Sequence, residues 1–271
     1  MVPTGFANGV ATHELISMNS LTIFALAFLC PLAGVFVGMT FRRQLPEHHL
    51  SRESTDVIKL ATGLMATLVA LVLSLLVSSA NSFHGTVENE YREALANSIQ
   101  LDRYLEAYGP ETREIRTLAR SIVVQAFQQR WPDDDFGPKE AARATGREPL
   151  IDLERRILEL TPTDAAQKWF QSQALQLIQG LVRVRQLLLS AESGRPMPPP
   201  ILVVVLVCSA AIFASFSLFV QPNPTVVVAL GASALAVAGA VFLIVELNSP
   251  FGGLLQISSA PAHAALAALP R

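Results

Sequence analysis

LATGLMATLVALVLSLLVSSANSF, residues Leu60 to Phe83, contains no charged side chain, and its reading decides the class of this chain. A helix needs ~20 apolar residues to cross the hydrocarbon core of a bilayer. Lipid offers no partner to an unpaired backbone group, so a run of this kind spans as a helix. Three further uncharged runs of comparable length, Leu21 to Phe41, Ile201 to Val220 and Thr225 to Val245, complete two pairs. The chain is expected to be an all-α integral membrane protein: four transmembrane helices in two pairs, with a soluble helical insert between the second and third. The segments fall at 1–20 (N-terminal segment), 21–83 (spans one and two), 84–199 (insert), 200–246 (spans three and four) and 247–271 (tail).

Composition agrees. Charged residues make up 15% of the 271 residues, against about 25% in a soluble domain, and the deficit lies in the four runs. Gly85 to Gly194 has an ordinary soluble composition and enough length for a modest core. A net charge of -2 with no basic tract argues against a nucleic-acid partner. Cys30 and Cys208 each lie inside an apolar run, without the spacing of a zinc site or a disulfide framework. Met1 to Ser20 holds no Lys or Arg, unlike the basic start of a secretory signal, so the first run is expected to be a retained transmembrane helix. No phosphate-binding loop, dinucleotide fingerprint, nucleophile elbow or HExxH helix occurs. No catalytic residue, metal site or cofactor is therefore assigned. His48 and His49 read as interfacial polar residues, and Asp133 to Asp135 as a solvated loop lacking the alternating ligands of a calcium loop.

In the first span, Pro31 is expected to kink the helix, and Gly34 and Gly38 permit close approach of a neighbour. A polar connector follows, with Ser51 as a helix cap and Glu53 and Asp56 in the first turn of span two. In that span Gly63, Thr67, Ala70, Ser74, Ser78 and Asn81 recur every three or four residues and share one face. Leu64, Leu68, Leu71, Leu75 and Leu76 lie mainly elsewhere. The small, weakly polar face either packs tightly against another helix or forms a water-facing pore wall. Past Phe83 the pattern becomes amphipathic without a break, so the second span should continue into solvent until Gly109-Pro110 stops it. Soluble helices are expected over about Glu111 to Trp131, Leu150 to Leu160, and from the Thr161-Pro162-Thr163-Asp164 cap to Ser193. Gln221-Pro222-Asn223-Pro224 makes a tight hairpin between the last two spans. Glu246, at the end of the fourth, either borders an aqueous path or reaches the headgroups. The tail from Leu254 is weakly amphipathic.

Four segments together resemble the bacterial bestrophin-like membrane proteins. They are Arg43 to Leu50, Lys59 to Phe83, Tyr108-Gly109-Pro110-Glu111, and Asn248-Ser249-Pro250-Phe251-Gly252-Gly253-Leu254-Leu255-Gln256-Ile257-Ser258. The resemblance covers about residues 20 to 270. It implies a distant relation to bestrophins, pentameric anion channels whose second membrane helix lines the pore and runs on into a cytosolic helical domain. It further implies a homo-oligomer in the inner membrane, small anions such as chloride as passengers, and a cytoplasmic insert. Gly63, Thr67, Ala70, Ser74, Ser78 and Asn81 would then be pore-lining, with Phe83 near the inner constriction. Glu246, Pro250, Phe251 and Gly252 would form the turn after the fourth helix. Leucine and serine stand in span two where bestrophins have neck aromatics, and the tail has no acidic residue after Glu246 to build a calcium clasp. The basic residues of the connector and of the insert's flanks are close to balanced, so charge alone does not orient the protein. The alternative function is a non-conducting scaffold or sensor. In that case the face of Asp164 to Ser193 carrying Trp169, Phe170, Leu177, Leu181 and Leu188 would dock a partner protein, unless it forms the insert's own core.

Overall fold

The computed structural model describes residues 20–44, 52–132, 134–136, 148–193, 199–219 and 223–269. His48, His49, Ser51, Asp133, Gln221 and Pro222 fall outside them. The described residues are helical, without strands. The α-helices run α1 Ser20–Gln44, α2 Arg52–Tyr108, α3 Arg113–Arg130, α4 Pro149–Leu158, α5 Ala165–Ser193, α6 Pro199–Phe219, α7 Pro224–Leu247 and α8 Ala260–Ala268, with a 3-10 turn at Pro110–Thr112. Four of them are long and apolar enough to cross a membrane, over Leu21–Arg42, Thr55–Tyr108, Pro200–Leu218 and Pro224–Leu247.

The chain forms two compact units. The first comprises Met1–His84, Arg195–Ser249 and Gly253–Leu255; the second comprises Gly85–Gly194, Pro250–Gly252 and Gln256–Arg271. The expected continuation of the second span is present: α2 is one helix of 57 residues, about 85 Å at 1.5 Å per residue, against a hydrocarbon core of ~30 Å.

In the first unit α1 packs along α6 and against α7. Gly34 and Gly38 explain how closely. A Cβ at Gly34 would strike the Ala210 backbone, and one at Gly38 would strike Ala214 O and Ser217 Oγ. The paired glycines therefore do what their spacing promises, and the fully buried Pro31 lies within the same helix. Leu73 and Ala80 of α2 join Ile23, Ala27, Val205, Ala238, Val241 and Ile244 in one apolar cluster. Phe24 meets the edge of Phe242 at 5.9 Å.

The second unit is a helical bundle with its own core: Leu101 and Leu105 of α2 against Ile115, Ile122, Leu153, Ile157, Ala174 and Ile178. Gly109 ends α2 at a φ of 143°, and the Thr112 hydroxyl closes the corner by donating to Leu105 O and Gly109 O, at 2.5 and 2.8 Å. Asp102, 7% exposed, accepts two hydrogen bonds from Arg116, Nε to Oδ1 at 2.7 Å and Nη2 to Oδ2 at 2.9 Å. That carboxylate raises the guanidinium pKa above its usual value, chiefly through the hydrogen bond itself. At α5 the Asp164 carboxylate caps the helix by accepting from Gln167 N at 2.7 Å.

One element was not foreseen. The tail forms α8, with Ala262, Ala265 and Leu266 buried. Arg120 donates to Leu269 O at 2.7 Å, and Trp131 Nε1 donates to Ile257 O at 3.3 Å, so the tail is stitched to the middle of α3 and to its C-terminal end.

Candidate functional site

The face of α2 singled out in the sequence is uncovered. Gly63, Thr67, Ala70, Ser74, Ser78 and Asn81 are all exposed in the chain alone, and Phe83 is half-buried. A Cβ at Gly63 would meet nothing within 4 Å. The Thr67 hydroxyl donates to Gly63 O at 2.9 Å, as hydroxyls in apolar helices commonly do, and keeps its lone pairs for an outside donor.

Helical phase locates this stripe. The side of α2 that meets its own unit carries Thr62, Leu73 and Ala80, with Ala66, Val69 and Val77 beside them. At about 100° per residue the stripe lies roughly a quarter turn from that side. Leu64, Leu68, Leu71 and Leu75 lie about half a turn away, and all four are more than half exposed. The span therefore has three different surfaces: a packed side, a small polar stripe, and a leucine row opposite the packing. Sequence periodicity finds the stripe and the row. Only the fold shows which stands directly opposite the body of the unit.

The turn after the fourth span is the other site read from the sequence. Glu246 is 1% exposed, and its carboxylate is directed into its own turn. Oε2 accepts from Leu254 N at 2.6 Å and Leu255 N at 3.4 Å. Gly253 has a φ of 78°, and a Cβ there would strike the Glu246 carboxylate. A buried carboxylate is tolerable when it is hydrogen-bonded, and two backbone N–H groups supply those bonds. Gly253 was the residue missed; its signal is the Gly-Gly pair that follows the last acidic residue of the chain. Pro250 O accepts from Ile257 N at 2.8 Å. Gly252 is exposed with open space around it. Phe251 enters an aromatic cluster of the second unit, with ring centroids 6.4 Å from Tyr91 and 5.7 Å from Trp131, and the Arg130 guanidinium sits 5.3 Å over its ring. Phe127 and Phe136 complete the cluster, and His263 stacks on Phe136 at 4.4 Å.

The face of α5 considered for docking is largely spent inside the bundle. Ala174 and Ile178 belong to the core, Leu177 and Leu181 pack against it, and Leu188 is buried. Trp169 remains 51% exposed, edge-on to Tyr104 at 5.6 Å. Among the described residues no group of three or more His, Cys, Asp or Glu side chains could hold a metal ion.

A family model described as a bestrophin-like domain matches residues 29–262. Among solved structures, a bacterial bestrophin homologue from Klebsiella pneumoniae is similar, with a TM-score of 0.59 at 14% identity, covering 91% of this chain and 96% of the other. At that identity the likeness concerns the fold. No curated protein matches by sequence.

Proposed function

Starting from the chain's membership of the bestrophin-like family, we propose that copies of it assemble around an axis, as a pentamer, to form an anion channel lined by α2. The working passenger is chloride, the membrane is the bacterial inner membrane, and the insert faces the cytoplasm. One observation carries the reading. A helix of transmembrane length leaves an unbroken row of small, hydroxyl and amide residues uncovered in the chain alone. Uncompensated polar groups are unfavourable against hydrocarbon, so water or a second copy should cover the row.

In this reading Gly63, Thr67, Ala70, Ser74, Ser78 and Asn81 form the wall, and Phe83 stands near the inner constriction. The protons of the Ser74 and Ser78 hydroxyls and the Asn81 amide would replace part of an anion's hydration without holding it tightly, which conduction requires, and Thr67 would join them by turning its proton away from Gly63 O. A second reading follows from the helical phase. If the body of each unit lies outward, the leucine row opposite it faces the axis as an apolar constriction. The small stripe then becomes the seam between neighbouring α2 helices, where small residues allow close approach.

Chloride efflux from reconstituted vesicles tests conduction. Thr67→Leu and Ser74→Leu should reduce it, and flux no greater than in protein-free vesicles, with the oligomer intact, would overturn the proposal. Cysteine labelling separates the two walls. In a background with Cys30 and Cys208 replaced, a membrane-impermeant thiol reagent should block Ser74→Cys if the stripe faces water, and Leu71→Cys if the leucine row does. Native mass spectrometry reads the subunit number.

A further inference from the structure

The insert unit holds a cavity of about 380 Å³ between α2, α3, α4 and α5. Small-molecule sites span ~300–1,000 Å³ and are mostly apolar with a few placed polar groups. Here Leu95, Ile122, Val184 and Leu188 supply apolar wall. The charged side chains on that wall are Arg130 and Arg185, with no Asp or Glu among the described lining residues. Arg130 is held in place: its Nη1 donates to Ala126 O at 3.1 Å and its guanidinium stacks over Phe251. Arg185 is exposed. Tyr91 also belongs to the wall through its ring; it is 2% exposed, and its hydroxyl has no hydrogen-bond partner among the described residues.

We propose that this cavity binds a small organic monoanion, a carboxylate on an apolar body, with the carboxylate at Arg185 and the body among Leu95, Ile122 and Val184. Apolar walls would not desolvate a doubly charged phosphate ester, whereas one carboxylate at a guanidinium makes a charge-assisted hydrogen bond. The site stands whether or not the chain conducts.

Calorimetric titration of 4-phenylbutyrate into the full chain in nanodiscs of zwitterionic lipid tests it, with the neutral 4-phenylbutyramide as isostere. Trp131, whose ring lies 5.4 Å from that of Tyr91, gives a fluorescence readout of the same event. The expected result is saturable binding, weakened roughly tenfold or more by the amide or by Arg185→Gln, and abolished by Ala126→Phe. If thermal melting shows that Ala126→Phe does not fold, Ser98→Met fills the cavity from α2 and decides instead. Absence of saturable binding overturns the proposal. So does equal affinity for acid and amide, or binding that survives a folded, filled cavity, since the probe would then sit in the bilayer or elsewhere on the chain.

Discussion

The two halves of α2 use their apolar residues in opposite ways. From Gly85 to Tyr108 the helix buries Val87, Tyr91, Leu95, Leu101, Leu105 and Tyr108. From Leu60 to Phe83 it buries Leu73 and Ala80 with Thr62, while Leu60, Leu64, Leu68, Leu71 and Leu75 stay more than half exposed. In water the second arrangement would forfeit about 25 cal/mol for every Å² of apolar surface left uncovered. In a bilayer it forfeits almost nothing, because lipid tails are as apolar as leucine. The hydrophobic effect thus assembles one half of this helix, whereas the other depends on packing and polar groups.

The largest expected effect tests that contrast with one substitution made twice. Leu105→Ala, in the core of the insert, should destabilise by about 2–5 kcal/mol. Leu68→Ala, on the uncovered row, should change the chain's own stability by less than about 0.5 kcal/mol. Denaturant melts followed by tryptophan fluorescence measure both. Comparable losses at the two positions would mean that a neighbouring copy covers the row and would break the contrast. Next is Asp102→Ala, which leaves the Arg116 guanidinium only the exposed Glu106 carboxylate, 3.5 Å away. Removing one partner of a buried pair costs about 3–5 kcal/mol, and the partial exposure of Arg116 places the expectation near 3. The same melts apply, and the double variant with Arg116→Met should recover part of the loss.

A third test concerns the end of the fourth span. Gly253→Ala forces a side chain into the positive-φ region and against the Glu246 carboxylate, for an expected loss of about 1–3 kcal/mol. Glu246→Gln keeps the shape, weakens the hydrogen bond to Leu254 N and should lose less. The thermal melting order, Gly253→Ala below Glu246→Gln below the parent, checks both. Equal melting of all three would mean that the turn is held by something other than this carboxylate.

These comparisons also show what a sequence can disclose. The four spans were legible because lack of charge over about 20 residues has one physical outcome. Gly34 and Gly38 were legible because their spacing puts both on one face, and Gly109-Pro110 because it cannot continue a helix. The partner of Glu246 was not legible: a carboxylate at a membrane boundary can turn to water, headgroups or backbone, and the choice lies in the φ of Gly253, seven residues on. The helix α8 was not legible as a helix because its 9 residues offer only a weak amphipathic pattern. The aromatic cluster joins residues from 91 to 263, a separation no local pattern spans. For the candidate pore wall, periodicity supplied the stripe but not its direction, which depends on where the rest of the unit packs.

The smallest expected effect is a pH dependence confined to one half of the contrast. No Asp or Glu occurs between Asp56 and Glu88, so the span from Leu60 to Phe83 has no carboxylate to protonate. On α4 of the insert, Asp152 hydrogen-bonds Arg155 and, at 3.3 Å, Arg156. The Arg155 hydrogen bond holds the Asp152 carboxyl below the ordinary carboxylate range. A depressed carboxyl pKa means that the folded insert holds fewer protons than the unfolded one, so its stabilisation is fully present above the unfolded value of about 4. That stabilisation is lost as pH falls through the lower folded value. Asp152→Asn should therefore lower the insert's melting slightly at pH 7, within the small range of exposed ion pairs, and converge on the parent at low pH, which flattens the acid limb. Because the pair is exposed, high salt should shrink the difference between the two proteins. A variant whose acid limb matches the parent at low salt would show that Arg155 does not set this titration.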